Sequence, residues 1–285
     1  MASYRYRAKV PVDALQWDCK VDARLNDWTA DCLVFAKPNP LEFQKAIEAK
    51  EKGKGVIVDF CDDHFRRFAH YAHFARLADA VTCPTEAMRR LIWAYTCIES
   101  TVIPDPYEYP LVSPHCNGVK LLWFGHAVNY PSLQRVLPHI AGYPLRVVSN
   151  VEGTIPWSKE IMLCEFLEAD IVILPATALY KSPNRCIEAV RQGCFVVAEP
   201  HPALDGFPGI WIGNIKEGIE WARQNPAEAR ERTAEAQKYV SQKFAPRTLA
   251  YAWKTLLDKV KSRSTLAAGE SAGQAGSMSI SAAPT

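Results

Sequence analysis

An α/β architecture of two Rossmann-like domains is what this sequence predicts, and three observations carry it. Short apolar runs alternate with helix-patterned stretches along residues 31–103. After a proline-rich break at 107–118 the alternation starts afresh and runs to 261. At 285 residues the chain also exceeds what a single core normally organises, so two domains of about 100–150 residues are expected. Strands separated by helices pair in parallel, with both faces of each sheet covered.

Taken in order, residues 4–10 are basic and aromatic, and 11–16 fit a short amphipathic helix. Residues 31–37 (DCLVFAK) form a strand that stops at Pro-Asn-Pro; 41–52 form a helix ended by Gly53; 55–60 (GVIVDF) form a second strand. A helix over 65–77, a strand over 80–83, a helix over 85–95 and a strand over 101–103 complete this half. Beyond the linker come strand 120–124, helix 131–140, strand 145–149 and helix 158–168. Strand 209–213, helix 216–224 and a polar helix over 226–244 follow a central unit described next. A last helix, 246–261, sets Leu249, Trp253, Leu256 and Val260 at helical spacing. After Ser262 the hydrophobic spacing is lost, and residues 263–285 read as a disordered tail.

The central unit runs from Glu168 to Pro200. An apolar strand at 171–174 is followed by a loop, then Ser182-Pro183, a pair suited to the N-cap and first position of a helix. That helix buries Cys186, Ile187, Ala189 and Val190 and stops at Gly193, and a second apolar strand follows at 194–198. This βαβ unit points the helix N-terminus at the carboxyl edge of the sheet, where ligands of open α/β folds collect. The dipole favours an anion there, and Lys181, Ser182, Asn184 and Arg185 are donors suited to phosphate. Glu188, one turn further on, suits a ribose diol. A capped core helix with solvated charges accounts for the same residues without a ligand.

Composition excludes several classes. The chain is 48% hydrophobic and 22% charged, and 33 basic against 31 acidic residues leave a net charge of +2, so no nucleic-acid partner is expected. Nine cysteines are scattered without a CxxC pair and no leader pattern opens the chain, which points to reduced thiols and a cytoplasmic location. No apolar run approaches the ~20 residues of a membrane span. Peripheral membrane association and the oligomeric state stay open. Gly53-Lys54-Gly55 is not a phosphate loop, because GxxxxGK[ST] is absent; neither GxGxxG nor GxSxG occurs. Asp59, Asp62, Asp63 and His64 gather at a strand end, where they suit a divalent metal, an acid/base pair or, for one aspartate, a helix cap worth ~1 kcal/mol.

The segments VIVDFCDDHF, LADAVTCPTEAMRRLI and STVIPDP, in that order, resemble the first domain of GT-B-type glycosyltransferases of the large retaining group (group 1, family 4-like). KLLWFGH and EADIVILPATALYKSPNRCIEAVRQGCFVVA are similar to the opening and the nucleotide-sugar segment of that fold's second domain. The resemblance covers roughly residues 30–258. It implies two Rossmann-like domains whose parallel sheets face across a cleft: 1–112 on the acceptor side, its first strand missing, and 113–245 on the nucleotide-sugar side. It also implies a helix at 246–262 that crosses back.

The same resemblance implies a sugar transferase using a nucleoside-diphosphate sugar as substrate, with no cofactor and no metal, and with an unidentified acceptor. Glu188 stands where the family holds the ribose hydroxyls; Tyr180 replaces the glutamate that addresses the donor sugar. Ser182 and Asn184 match the start of the pyrophosphate helix, with Lys181 and Arg185 as its cations. Gly125 matches the close-approach glycine, with His126 and Asn129 where a family arginine is expected. His64 and Asp62 are the candidates facing donor sugar and acceptor. Tyr180 and the shortened opening also suit a catalytically silent binding module, and a sugar-nucleotide epimerase or hydrolase shares the fold.

Overall fold

In the computed structural model, residues 4–17 and 29–274 are described, with side chains to residue 262. The chain divides into two compact units. Among the described residues, the larger takes those up to Trp17, Pro84–Ala87 and Pro104–Ala250; the smaller takes those from 29 to Cys83, Met88–Ile103 and those from Tyr251. The opening residues, expected with the first domain, thus belong to the unit that holds the central βαβ segment.

The larger unit opens with a wide π-type turn, Arg5–Lys9, running directly into α1 (Val10–Leu15). In the smaller unit follow β1 (Cys32–Ala36), α2 (Glu42–Glu51), β2 (Gly55–Asp59), α3 (His70–Leu77) and β3 (Ala80–Cys83), then α4 (Glu86–Thr96), most of which lies there, and β4 (Thr101–Val102). The four strands pair in parallel in the order β1-β2-β3-β4. Every residue of β2 is buried, which is why it reads as a continuous apolar run. The helix expected from Phe65 begins only at His70, because Phe65 and Phe68 are drawn into an aromatic cluster: Phe60 and Phe65 lie 4.8 Å apart, His64 and Phe68 5.6 Å.

In the larger unit come β5 (Leu121–Phe124), α5 (Tyr130–Val136), β6 (Leu145–Ser149), β7 (Ile155–Pro156), α6 (Lys159–Glu168) and β8 (Ile171–Leu174). After these come α7 (Asn184–Arg191), β9 (Phe195–Ala198), β10 (Trp211–Ile212), α8 (Ile215–Gln224) and α9 (Pro226–Lys243). Its sheet is parallel, in the order β10-β9-β8-β5-β6-β7. Alternate residues of its central strands feed two cores. Leu122, Val172 and Val196 face one way with Phe166, Ile187 and Val190; Leu121, Trp123, Ile173 and Phe195 face the other with Leu133 and Ile219. The last helix, α10 (Pro246–Gln274), starts in the larger unit and continues in the smaller, where Val260 is buried against Gly55. It extends beyond Ser262 through residues whose composition had read as unstructured; residues 275–285 lie outside the described set.

Gly193 closes α7 at φ +84°, and a Cβ there would lie 2.4 Å from the Ser113 carbonyl oxygen. Both the left-handed backbone and the contact require glycine. Gly193→Ala should lower the unfolding free energy by about 1–3 kcal/mol, seen as a lower urea midpoint with unchanged slope. An unchanged midpoint would mean that the Ser113 strand-side contact yields freely.

Candidate functional site

In the larger sheet β6 and β8 flank β5, and the chain winds outward from β5 in opposite directions. That reversal is a topological switch point, and the crevice it leaves lies at the carboxyl ends of β5 and β8. Next to it, at the carboxyl ends of β8 and β9, a depression is lined by Leu174, Pro175, Lys181, Ser182, Arg185 and Glu199, among others. Glu199, just past β9, is held by both arms of Arg135 on α5 and accepts the Ala176 amide at 2.7 Å, which fixes the loop after β8.

At the end of β5, Gly125 makes room. A Cβ at this position would meet the Trp123 ring at 3.1 Å and Arg185 Nη1 at 3.4 Å. Arg185 Nη1 donates to the Phe124 carbonyl at 3.3 Å, and its guanidinium lies 5.9 Å from the Trp123 ring centroid. No carboxylate among the described residues pairs with it, and burial pushes its pKa down to about 10. A desolvated cation without a counter-charge is therefore set beside the start of α7. The Ile187 amide reaches the Pro183 carbonyl at 3.0 Å, so the amides of residues 184–186 stand ahead of the helix ladder, at its positive end.

The sequence-predicted cap is corrected. Pro183 is the N-cap residue, and no side chain caps the helix. Instead Ser182 Oγ donates to Asn184 Oδ1 at 2.7 Å, and Asn184 Nδ2 donates to Asp105 Oδ2 at 2.8 Å. Asp105 is 5% exposed and its other oxygen accepts from Arg7 Nη1 at 3.2 Å. Asp105 and Arg7 were not singled out from sequence; the prolines on both sides of Asp105 were the available signal.

Glu188 was expected at an open cleft and is not there. It is 2% exposed, and its carboxylate is already bonded: Oε1 accepts the Glu108 amide at 2.8 Å and the Tyr6 hydroxyl at 3.2 Å, Oε2 the Tyr109 amide at 3.2 Å. Burial raises its pKa to about 7 against the pull of those amides. Tyr6, another residue the sequence did not mark, is itself held well above its ordinary pKa by burial and by Glu188.

His126 is exposed and caps the 3-10 turn Ala127–Asn129, its Nδ1 accepting from the Val128 amide at 3.3 Å. Asn129 sits half-buried at the start of α5, and Tyr180 is half-buried in the loop before α7, outside the lining of the depression. In the smaller unit Asp62 pairs with Lys37, and Asp59 is buried under the Thr82 hydroxyl, 2.7 Å away, and the Cys61 thiol. Neither Asp62 nor Asp63 caps α3, whose N-cap is Ala69. His64 stands edge-on between Phe68 and Tyr71, with Nδ1 buried and unpartnered among the described residues, as is Asp63 Oδ1. Those described residues include no group of three His, Cys, Asp or Glu placed to hold a metal, and no helix long and apolar enough to cross a membrane.

No protein-family model and no curated protein sequence matches the chain. Solved structures do. HepE from Anabaena, in complex with UDP and glucose, aligns with a TM-score of 0.66 at 13% identity, over 88% of this chain and 81% of that one. Its complex with UDP-glucose gives 0.59 over 80% and 79%, also at 13% identity. TarM, known in S. aureus, gives 0.62 at 14% identity over 79% of this chain and 54% of its own. The chain has the GT-B glycosyltransferase fold. In that fold this chain carries its switch point in the larger unit, with Arg185, Gly125 and the start of α7 around it.

The Glu188 pKa yields a test. Raised in the folded state, it favours the protonated acid: the stabilisation is full below the unfolded value of about 4.5 and is lost as pH rises through about 7. Relative to Glu188→Gln, the native protein should therefore lose unfolding free energy between about pH 4.5 and 7, by on the order of 3 kcal/mol. A difference between the two that stays flat with pH would show a carboxylate ionised at ordinary acidity.

Proposed function

We propose that the chain binds a nucleoside-diphosphate sugar at the carboxyl ends of β5 and β8 and transfers the sugar to an acceptor. The carrying observation is Arg185, a half-buried guanidinium with no carboxylate partner among the described residues, set against Gly125 beside the positive end of α7. A diphosphate supplies the missing negative charge, and glycine lets it approach the strand end. Lys181, Ser182 and Asn184 flank the same turn, with His126 and Asn129 across from it on the β5 side. The solved complexes of the fold with UDP and UDP-glucose support the ligand class.

Transfer breaks the bond between the anomeric carbon and the diphosphate oxygen, and negative charge grows on that oxygen as it departs. Fixed donors and a helix dipole stabilise such charge without reorganising, and here they take the place a metal ion would fill. In this reading Glu188 serves the ribose, Tyr180 borders the sugar, and His64 and Asp62 act on donor sugar and acceptor. The described cysteines, none of them placed in a disulfide, suit a cytoplasmic setting.

A second reading, nucleotide-sugar binding without transfer, draws on a specific observation. Among the described residues the smaller sheet runs β1-β2-β3-β4 without reversal, so those strands offer no switch-point crevice of their own for an acceptor.

Titration calorimetry with UDP, GDP and ADP, with and without their sugars, tests the binding. One nucleotide should bind, and Arg185→Leu should weaken it at least about tenfold, in line with the loss of a charge-assisted bond, while the ligand-free melting temperature barely moves. Equal affinity in the variant removes Arg185 from the site. Release of free nucleoside diphosphate from the bound sugar donor then separates the transferase reading from the silent one.

A further inference from the structure

Residues 5–9 lie across the residue that should hold the ribose. Tyr6 and Arg7 are each 5% exposed although they belong to a short π-type turn rather than to the sheet or its covering helices. Tyr6 donates its hydroxyl to Glu188; Arg7 pairs with Asp105, the same carboxylate that holds Asn184. Outside these, Arg5 pairs with Glu108 at 2.9 Å and stacks 4.9 Å from the Trp157 ring. The segment thus reaches both ends of the proposed donor site: Tyr6 bonds the ribose carboxylate, and Arg7 is linked to the phosphate helix through Asp105.

Chemistry decides between a wall and a cover. A ribose hydroxyl recognised by a carboxylate is an O–H donor, and the Tyr6 hydroxyl is the same group in the same bond. Glu188 is 2% exposed, with two amides and this hydroxyl around it, so no ribose reaches it while Tyr6 stays. The π-type turn is a rare backbone form that occurs frequently at functional sites.

We propose that residues 5–9 are a strap in which Tyr6 stands in for a ribose hydroxyl on Glu188, closing the nucleoside end of the donor site until a nucleotide displaces it. This rests on the donor reading above. Asp105 ties strap to cradle: when Asn184 turns its amide to a phosphate oxygen, Asp105 loses one donor and its hold on Arg7 changes.

Hydrogen exchange on the full chain, with and without saturating UDP, tests this. Slower exchange over residues 184–191 together with faster exchange over residues 5–15 is the expected result. Slower exchange in both stretches would make the segment a wall of the site and overturn the strap. Protection of 184–191 with 5–15 unchanged overturns the strap and leaves the donor site standing; no change in either stretch removes both. A second arm uses Tyr6→Phe, which keeps the ring and loses only the hydroxyl. It should bind UDP about tenfold more tightly, because only the closed state loses a bond to a carboxylate. Unchanged or weaker UDP binding in that variant overturns the strap.

Discussion

Asp105 holds the larger unit's ligand end together. Taking a carboxylate out of water costs several kcal/mol even after relaxation, and the cost is met only when its oxygens find donors. Pro104 and Pro106 stand on either side, and neither has an amide proton to give. Donors therefore come from far away: Arg7 from the opening turn on one oxygen, Asn184 from α7 on the other. Asn184, fixed in this way, orients Ser182, and the first turn of α7 takes its direction from a residue far back in the chain. Removing either donor leaves a buried charge half-met, so the turn, the inter-sheet segment and the helix start stand or fall together.

The parallel sheets were legible because buried strands are continuous apolar runs, and β2, β5, β8 and β9 are buried at every position. The βαβ segment from Ile171 to Ala198 was legible down to Gly193, since left-handed termination leaves a mark in the sequence itself. β7, two residues long, left no such mark. The helix expected from Phe65 failed for a different reason: aromatic spacing imitates helical spacing, and here ring packing around Phe60 takes Phe65 and Phe68 out of any helix.

The site was legible only in part. Gly125 and Arg185 could be placed because each lies next to a strand end or helix start that the sequence marks. The state of Glu188 could not, because its hydroxyl partner lies 182 residues away, and its amide partners about 80. Hydrophobic periodicity has no reach over that distance. The opening residues read as basic and aromatic, a description that fits a solvated turn as well as a buried one; what buries Tyr6 and Arg7 is a pair of carboxylates from elsewhere.

In the proposed reading those two carboxylates would also set what a nucleotide gains on binding. Exchanging the Tyr6 hydroxyl for a ribose hydroxyl on Glu188 swaps one O–H···carboxylate bond for another, so that contact adds little net affinity. In the proposed site the gain would come from the phosphate end, where no carboxylate among the described residues pairs with Arg185. Apparent affinity is reduced by the fraction of molecules that are open: a strap closed in about 99 of 100 molecules weakens binding about a hundredfold. A nucleoside without phosphates meets that cost with no compensating charge interaction. In the proposed site a diphosphate would meet that cost at Arg185 and the α7 amides, so a strap would make selectivity for the charged end of the ligand a property of the whole site.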